Sequence, residues 1–230
     1  MPAGTEWIGK TTLFRTILGS LKSKTGEILL HGEDVTKFSL RQFARRVAYV
    51  PQAHTPPFPF CVMDVVTMGR TAHFCVFESP SAKDIAIAKD AMQMLNIYHL
   101  REKSYTEISG GERQLVLIAR AMAQQADLLI MDEPTSNLDF GNQIMVLEQI
   151  RALVRTQRVC VILTTHSPNH ALSYASKVGI LGRDKSFVVG LPEEVISEQY
   201  IRETYRVETE LLGIRTRKGK TVRVCVPISA

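Results

Sequence analysis

The stretch that most constrains the fold is Leu128-Leu-Ile-Met131, a continuous apolar run that ends in Asp132-Glu133. A strand with one wet face alternates apolar and polar residues, so an unbroken run describes a strand covered on both sides. Val159-Cys-Val-Ile-Leu163 is a second run of the same kind, and Gln143 to Val154 between them has helical periodicity. Strand, helix, strand with buried strands predicts α/β layering around a mostly parallel sheet.

The rest of the chain divides around this centre. After Gly9-Lys10-Thr11-Thr12, the residues Leu13, Phe14, Ile17 and Leu18 have helical spacing, with Gly19 as the C-cap. Gly26 to Gly32 and Val47-Ala-Tyr-Val50, the latter ended by Pro51, read as short strands. Residues 62–125 carry few strand signals, and Ala86 to Leu95 is strongly helical, which predicts a helical insertion. Residues 206–230 are β-branched and basic, and predict a small antiparallel β appendage.

Composition narrows the class. With 230 residues, 45% hydrophobic and 22% charged, the chain has the apolar content of a globular domain and not of a disordered one. No apolar run approaches the ~18–20 residues of a membrane-spanning helix, and the first residues lack a basic region followed by an apolar core. A cytoplasmic location is expected. The net charge of +5 is scattered; its densest part is Arg215, Arg217, Lys218, Lys220 and Arg223, which reads either as a solvated face or as a partner surface. A nucleic-acid partner is not expected, because no larger basic stripe with interleaved aromatics is present. Cys61, Cys75, Cys160 and Cys225 are too widely spaced for a zinc knuckle and read as reduced thiols.

Three stretches carry chemistry. Gly4-Thr5-Glu6-Trp7-Ile8-Gly9-Lys10-Thr11 satisfies the G-x-x-x-x-G-K-[ST] phosphate-loop pattern, and Thr12 continues it into the helix. Such a loop wraps phosphates with backbone N–H groups, Lys10 reaches the β/γ-phosphates, and the Thr11 hydroxyl ligates Mg²⁺. Asp132 stands at a strand tip, where it suits Mg²⁺, and Glu133 beside it suits a general base for water. An Asp-Glu pair after a strand is by itself more often a solvated turn; the phosphate loop upstream reverses that reading. Ser109-Gly110-Gly111-Glu112 opens a third element, a helix start that is either an ordinary N-cap or a second anion site. One nucleotide rarely needs two such sites in one chain, whereas two chains arranged head-to-tail do. Gln52 and His166 each follow a strand, where ligands bind in open α/β sheets, although a lone Gln or His there is more often structural.

Together, in this order, these elements resemble the nucleotide-binding subunit of an ATP-binding-cassette (ABC) transporter, an α/β P-loop NTPase with a mostly parallel sheet, a helical subdomain insertion and a small antiparallel β part. Ser109-Gly-Gly-Glu-Arg-Gln114 looks like the signature motif, Met131-Asp-Glu-Pro-Thr-Ser-Asn-Leu-Asp139 like Walker B with the D-loop, Gln52 like the Q-loop and His166 like the switch histidine. The resemblance implies an ATPase using ATP and Mg²⁺. Residues 4–12, Gln52 and Ser109 to Glu112 would contact nucleotide, Thr11, Gln52 and Asp132 would serve the metal, and Glu133 and His166 would be catalytic. It further implies a homodimer that sandwiches two ATPs, membrane permease subunits as partners, a periplasmic or extracellular substrate-binding protein acting indirectly, and a peripheral place on the cytoplasmic face of the membrane. Ser39 to Gln52, Val66-Thr-Met-Gly-Arg70 and Thr164-Thr-His-Ser-Pro-Asn-His-Ala171 look like the importer group for iron-siderophore, haem and cobalamin.

The chain departs from that family at its front. The family has Gly where Trp7 stands, Glu6 places a carboxylate near the phosphates, and the two strands and adenine-stacking aromatic expected before the loop are missing, so we expect an N-terminally truncated cassette. A soluble ABC ATPase of DNA repair or translation and a catalytically silent module are the rival readings.

Overall fold

The computed structural model describes residues 9–52, 58–75, 78–157, 159–182, 186–217, 219 and 221–229, with the backbone alone for Gln157. In chain order the elements are α1 (Lys10–Ile17), β1 (Leu29–Leu30), β2 (Glu33–Asp34), α2 (Leu40–Arg46), β3 (Val47–Val50), α3 (Val62–Thr67), α4 (Ala82–Met94), α5 (Gly110–Ala123) and β4 (Leu128–Met131). There follow α6 (Phe140–Gln157), β5 (Cys160–Leu163), α7 (Pro168–Tyr174), β6 (Val178–Leu181), β7 (Phe187–Gly190), α8 (Pro192–Val195), α9 (Glu198–Tyr205), β8 (Glu208–Arg215) and β9 (Thr221–Ser229). Two compact units divide the chain: residues 14–164, and residues 1–13 with 165–230.

The larger unit is built on a parallel sheet of order β3-β4-β5, with Val47 opposite Leu128 and Leu128 opposite Cys160. Alternation along these strands sends Ala48, Val50, Leu129 and Met131 into a core shared with Val62, Val66, Met92, Leu115 and Ile118 of the helices. Val47, Leu128 and Ile130 face the other way, onto Phe14 and Leu30. β4 is therefore buried on both faces along its whole length, as its apolar run predicts. β5 corrects the same expectation. Its Val161 and Leu163 pack on the helical core, but Cys160 and Ile162 stay exposed, because the opposite cluster does not extend past β4.

Local chemistry sets the boundaries. α1 ends as its glycine predicts: Gly19 takes φ +73°, its N–H bonds the Thr16 carbonyl at 3.1 Å, and the Ser20 N–H reaches the Arg15 carbonyl at 2.8 Å. The strand expected from Gly26 to Gly32 is only Leu29–Leu30, since His31 (φ 52°) and Gly32 (φ 79°) turn the chain straight back into β2. Ser39, Ser81 and Ser109 each cap a helix with a reciprocal bond from the residue three positions on.

Within residues 62–125, α3, α4 and α5 pack together, joined by a buried ion pair between Arg70 and Asp84 at 2.9 Å. Arg70 also donates to the Ala123 carbonyl at 2.9 Å, which ties it to the last turn of α5. The Ser81 hydroxyl first, then Arg70, hold the Asp84 carboxyl down to about 2. Gly69 allows this packing, as a Cβ there would lie 2.1 Å from the Arg120 carbonyl oxygen.

In the smaller unit, the β6-β7 and β8-β9 pairs are antiparallel. A core of Ile196, Ile201 and Cys225 joins Leu172 and Val178. Asn169 clips α7 to β9, its carbonyl accepting the Cys225 N–H at 2.7 Å and its amide donating to the Cys225 carbonyl at 3.1 Å. Among the described residues, no helix is long and apolar enough to cross a membrane.

Candidate functional site

In the smaller unit, Gly9 stands at the entrance to α1, its carbonyl accepting the Leu13 N–H at 2.9 Å. The first-turn amides of the helix have no i−4 carbonyl to bond, which makes this end attractive to anions. A Cβ on Gly9 would fall 1.9 Å from Leu181 Cδ2, so any larger residue there would oblige the Leu181 side chain to move. The Lys10 ammonium donates to His166 Nε2 at 3.3 Å. Two residues 156 positions apart, one predicted to meet phosphate and the other to be catalytic, are thus brought into contact. Since Lys10 can only donate, Nε2 of His166 is the acceptor in this arrangement. Thr11 and Thr12 sit exposed in the same first turn. Gly4, Thr5, Glu6, Trp7 and Ile8 lie outside the described residues, and with them the altered half of the phosphate loop.

The larger unit holds the carboxylates. The β3-β4 ladder runs one bond beyond β4, with the Asp132 N–H donating to the Val50 carbonyl at 2.9 Å. On the other side the Thr164 N–H donates to the Met131 carbonyl at 3.0 Å. Asp132 is therefore gripped by the sheet, and its charge, after burial, helps push the Tyr49 phenol up. The next residue leaves the sheet abruptly. Glu133 has φ +48°, a left-handed conformation uncommon outside glycine. It is held there from both sides of its peptide unit: its N–H donates to the Thr164 hydroxyl at 2.9 Å, and its carbonyl accepts the Ser136 hydroxyl at 3.0 Å. The same Thr164 hydroxyl donates to Asp132 Oδ1 at 2.8 Å. Thr164 was not among the predicted site residues. A hydroxyl after a strand is too common to single out, and only the β4-β5 register places it beside the two carboxylates.

Gln52 lies exposed just after β3, one residue beyond Pro51. The start of α5 is a complete capping box: the Ser109 hydroxyl accepts the Glu112 N–H at 3.2 Å, and the Glu112 carboxylate accepts the Ser109 N–H at 2.7 Å. The backbone N–H of Ser109, then its side chain, hold the Glu112 carboxyl below its ordinary value. The N-cap reading of this motif is thus realised, while Gly110 and Gly111 keep the helix entrance bare of side chains. A Cβ on Gly111 would stand 3.3 Å from the Asn137 carbonyl oxygen, so a glycine there lets the signature stretch lie against the loop that follows Glu133. That loop ends at Asp139, which caps α6 by accepting the Asn142 N–H at 2.9 Å; this bond first of all keeps the Asp139 carboxyl low.

Among the described residues, no three His, Cys, Asp or Glu side chains gather as a metal cage. The candidate metal residues Thr11, Gln52 and Asp132 offer only oxygen donors besides the Gln amide nitrogen. A hard cation such as Mg²⁺ fits that set, because it commonly takes one or two protein oxygens and completes its shell with phosphate and water.

The model of the ABC transporter family matches residues 3–136. The chain is 44% identical over 209 residues to an uncharacterized ABC transporter ATP-binding protein of Haemophilus influenzae, covering 91% of this chain and 79% of the relative. It is 33% identical to the molybdate import ATP-binding protein MolC of the same organism (89% and 75% covered). It is 31% identical to the petrobactin import ATP-binding protein FpuD of Bacillus anthracis (96% and 84%). A solved metal-chelate type ABC transporter in an inward-facing conformation superposes with a TM-score of 0.83 at 31% identity, covering 98% of this chain and 85% of that one.

Proposed function

This chain belongs to the ABC transporter family as an ATPase subunit, and on that premise we propose that it binds and hydrolyses ATP to energise import of a metal chelate. The cargo class is that of iron-siderophore, haem or cobalamin, moved by membrane permease subunits to which this chain attaches at the cytoplasmic face. The observation that carries the proposal is the end of β4, where a strand buried on both faces delivers two adjacent carboxylates in a fixed geometry. The petrobactin-import relative and the metal-chelate type structure support the cargo class. The molybdate-import relative marks its limit, since cargo would be chosen by the permease and by a substrate-binding protein outside the membrane.

The residues divide the work as follows. Lys10 and the first-turn amides of α1 neutralise phosphate charge, which lets the attacking water oxygen approach the terminal phosphate without prohibitive repulsion. Thr11, Gln52 and Asp132 would hold Mg²⁺, which supplies charge neutralisation of the phosphates. Glu133 accepts a proton from the attacking water, and His166 donates toward the terminal phosphate once Lys10 has turned to the nucleotide and Nε2 has taken up a proton from solvent. Ser109, Gly110 and Gly111 present the N-terminus of α5 to the nucleotide of a second copy of the chain, so two copies enclose two ATPs. Closure on ATP and opening after hydrolysis would drive the permease.

Two measurements test this. Purified chain should hydrolyse ATP only with Mg²⁺, and membrane permease subunits should co-purify with the tagged chain from its native membranes. Mg²⁺-dependent hydrolysis with no membrane permease subunit co-purifying would favour a soluble ABC ATPase. Stoichiometric ATP binding without turnover would favour a silent module.

A further inference from the structure

The geometry points to Thr164 as a positioning residue for hydrolysis, one hydroxyl that sets both Asp132 and Glu133. This rests on Glu133 acting as the base. A parallel ladder continued past Met131 and Leu163 would carry the Glu133 N–H to the Thr164 backbone carbonyl. Instead that N–H donates to the Thr164 side-chain oxygen at 2.9 Å. The substitution of a hydroxyl for a carbonyl is what lets the chain leave the sheet at Glu133 with φ +48°. The hydroxyl's single proton goes to Asp132 Oδ1 at 2.8 Å, which orients that carboxylate. One oxygen thus fixes the direction of the Asp132 carboxylate and the backbone torsion at Glu133. Thr164 is itself half-buried and anchored by its own N–H to Met131, so the bridge is set by the sheet and not by a mobile loop. Such outer partners typically contribute on the order of 10–100-fold to activity.

The discriminating variants are Thr164→Val, which keeps the shape and β-branching but loses both bonds, and Thr164→Ser, which keeps both bonds. In the full chain, Thr164→Val should lower kcat for Mg-ATP roughly tenfold, leave KM for ATP within about twofold, and raise the Mg²⁺ concentration for half-maximal rate. Thr164→Ser should return all three to near the parent. In a Glu133→Gln background, Thr164→Val should lower kcat by less than it does in the parent, because the route through Glu133 is already cut and only that through Asp132 remains. A readout independent of turnover is the Glu133 amide by NMR: slow hydrogen exchange in the parent and in Thr164→Ser, fast exchange in Thr164→Val. A folded Thr164→Val chain with more than half the parent kcat would overturn the assignment. So would an equal loss in the Glu133→Gln background, or failure of Thr164→Ser to rescue. If Thr164→Val does not fold, the comparison of Thr164→Ser with Thr164→Ala by the same exchange and kcat readouts decides. Near-parent hydrolysis by Glu133→Gln itself would instead remove the base assignment, and the role of Thr164 with it.

Discussion

The end of β4 and the start of α5 are both short polar stretches of the larger unit, and they are built in opposite ways. At β4, Asp132 and Glu133 are fixed by groups from distant parts of the chain: the Val50 carbonyl on one side, the Thr164 hydroxyl on the other. At α5, Ser109 and Glu112 bond each other reciprocally, three residues apart, and the two glycines between them add no side chain. The first place is assembled by tertiary structure and is sensitive to any change in strand register. The second is a local device that holds its shape by itself and faces outward. The difference fits a division of labour in which β4 serves the chain's own nucleotide while α5 serves another copy's.

The largest expected effect breaks the β4 side. Glu133→Gln should slow Mg-ATP hydrolysis by about 10²–10⁴, the usual worth of a positioned general base, with ATP binding retained. Turnover measured against a nucleotide-binding assay checks both halves; a variant hydrolysing at more than half the parent rate would mean that the pair at the end of β4 is the solvated turn it resembles in isolation. An effect of comparable size is expected on the α5 side. Ser109→Arg should abolish turnover by blocking the helix entrance, as Lys10→Ala should by removing phosphate charge. Mixed one to one, the two variants should recover about a quarter of parent activity, because half the pairs are mixed and each of those keeps one composite site of two. Absence of any recovery would place Ser109 and Lys10 of one chain at the same nucleotide, and the division of labour would fail.

A third prediction compares the two ends of α5. Its first turn is capped locally, but its last turn is held by Arg70, which also pairs with Asp84. Arg70→Leu leaves the Asp84 carboxylate without its ion partner and should lower the midpoint of chemical denaturation. The loss should shrink in acid. Asp84 titrates at about 2 when folded, below the ordinary carboxylate value, so the pair's contribution is complete above ~3.9 and fades as pH falls toward 2. A pH-independent difference between parent and variant would show that Arg70 acts only through packing and its bonds to α5.

The contrast also explains which of these features are legible in the residues alone. The cap at Ser109, the C-cap at Gly19 and the buried β4 were legible because each is decided within a few residues or by an unbroken apolar run. The clasp of Thr164 was not, because it depends on Leu163 lying opposite Met131, which nothing local encodes. β5 was misjudged for a related reason. Its composition matches that of β4, but burial on the second face depends on how far the Phe14 and Leu30 cluster extends, and it stops short of Cys160 and Ile162. Arg70 was seen only as part of a family-like motif, since its pairing with Asp84 and the end of α5 is tertiary. The contact of Lys10 with His166 joins residues that the sequence nominated separately.

The smallest expected effect tests whether the α5 start is as self-contained as its bonds indicate. Ser109→Ala removes the acceptor of the Glu112 N–H and should cost about 1 kcal/mol, the usual worth of a serine N-cap. Glu112→Gln should cost less, because an amide oxygen can still accept the Ser109 N–H, and its distinguishing mark is in the pH dependence. The Glu112 carboxyl is held low in the folded chain, chiefly by the Ser109 N–H. A depressed folded value means that its contribution is full above the unfolded carboxyl value of about 4.3 and declines as pH falls below it. Glu112→Gln has no such proton to bind, so the stability difference between parent and variant should narrow as acid is added. Thermal melts of both chains between neutral pH and pH ~3.5 check this. A gap that instead widens in acid would mean that the carboxylate is strained by the cap, and that the start of α5 depends on contacts beyond Ser109 and Glu112.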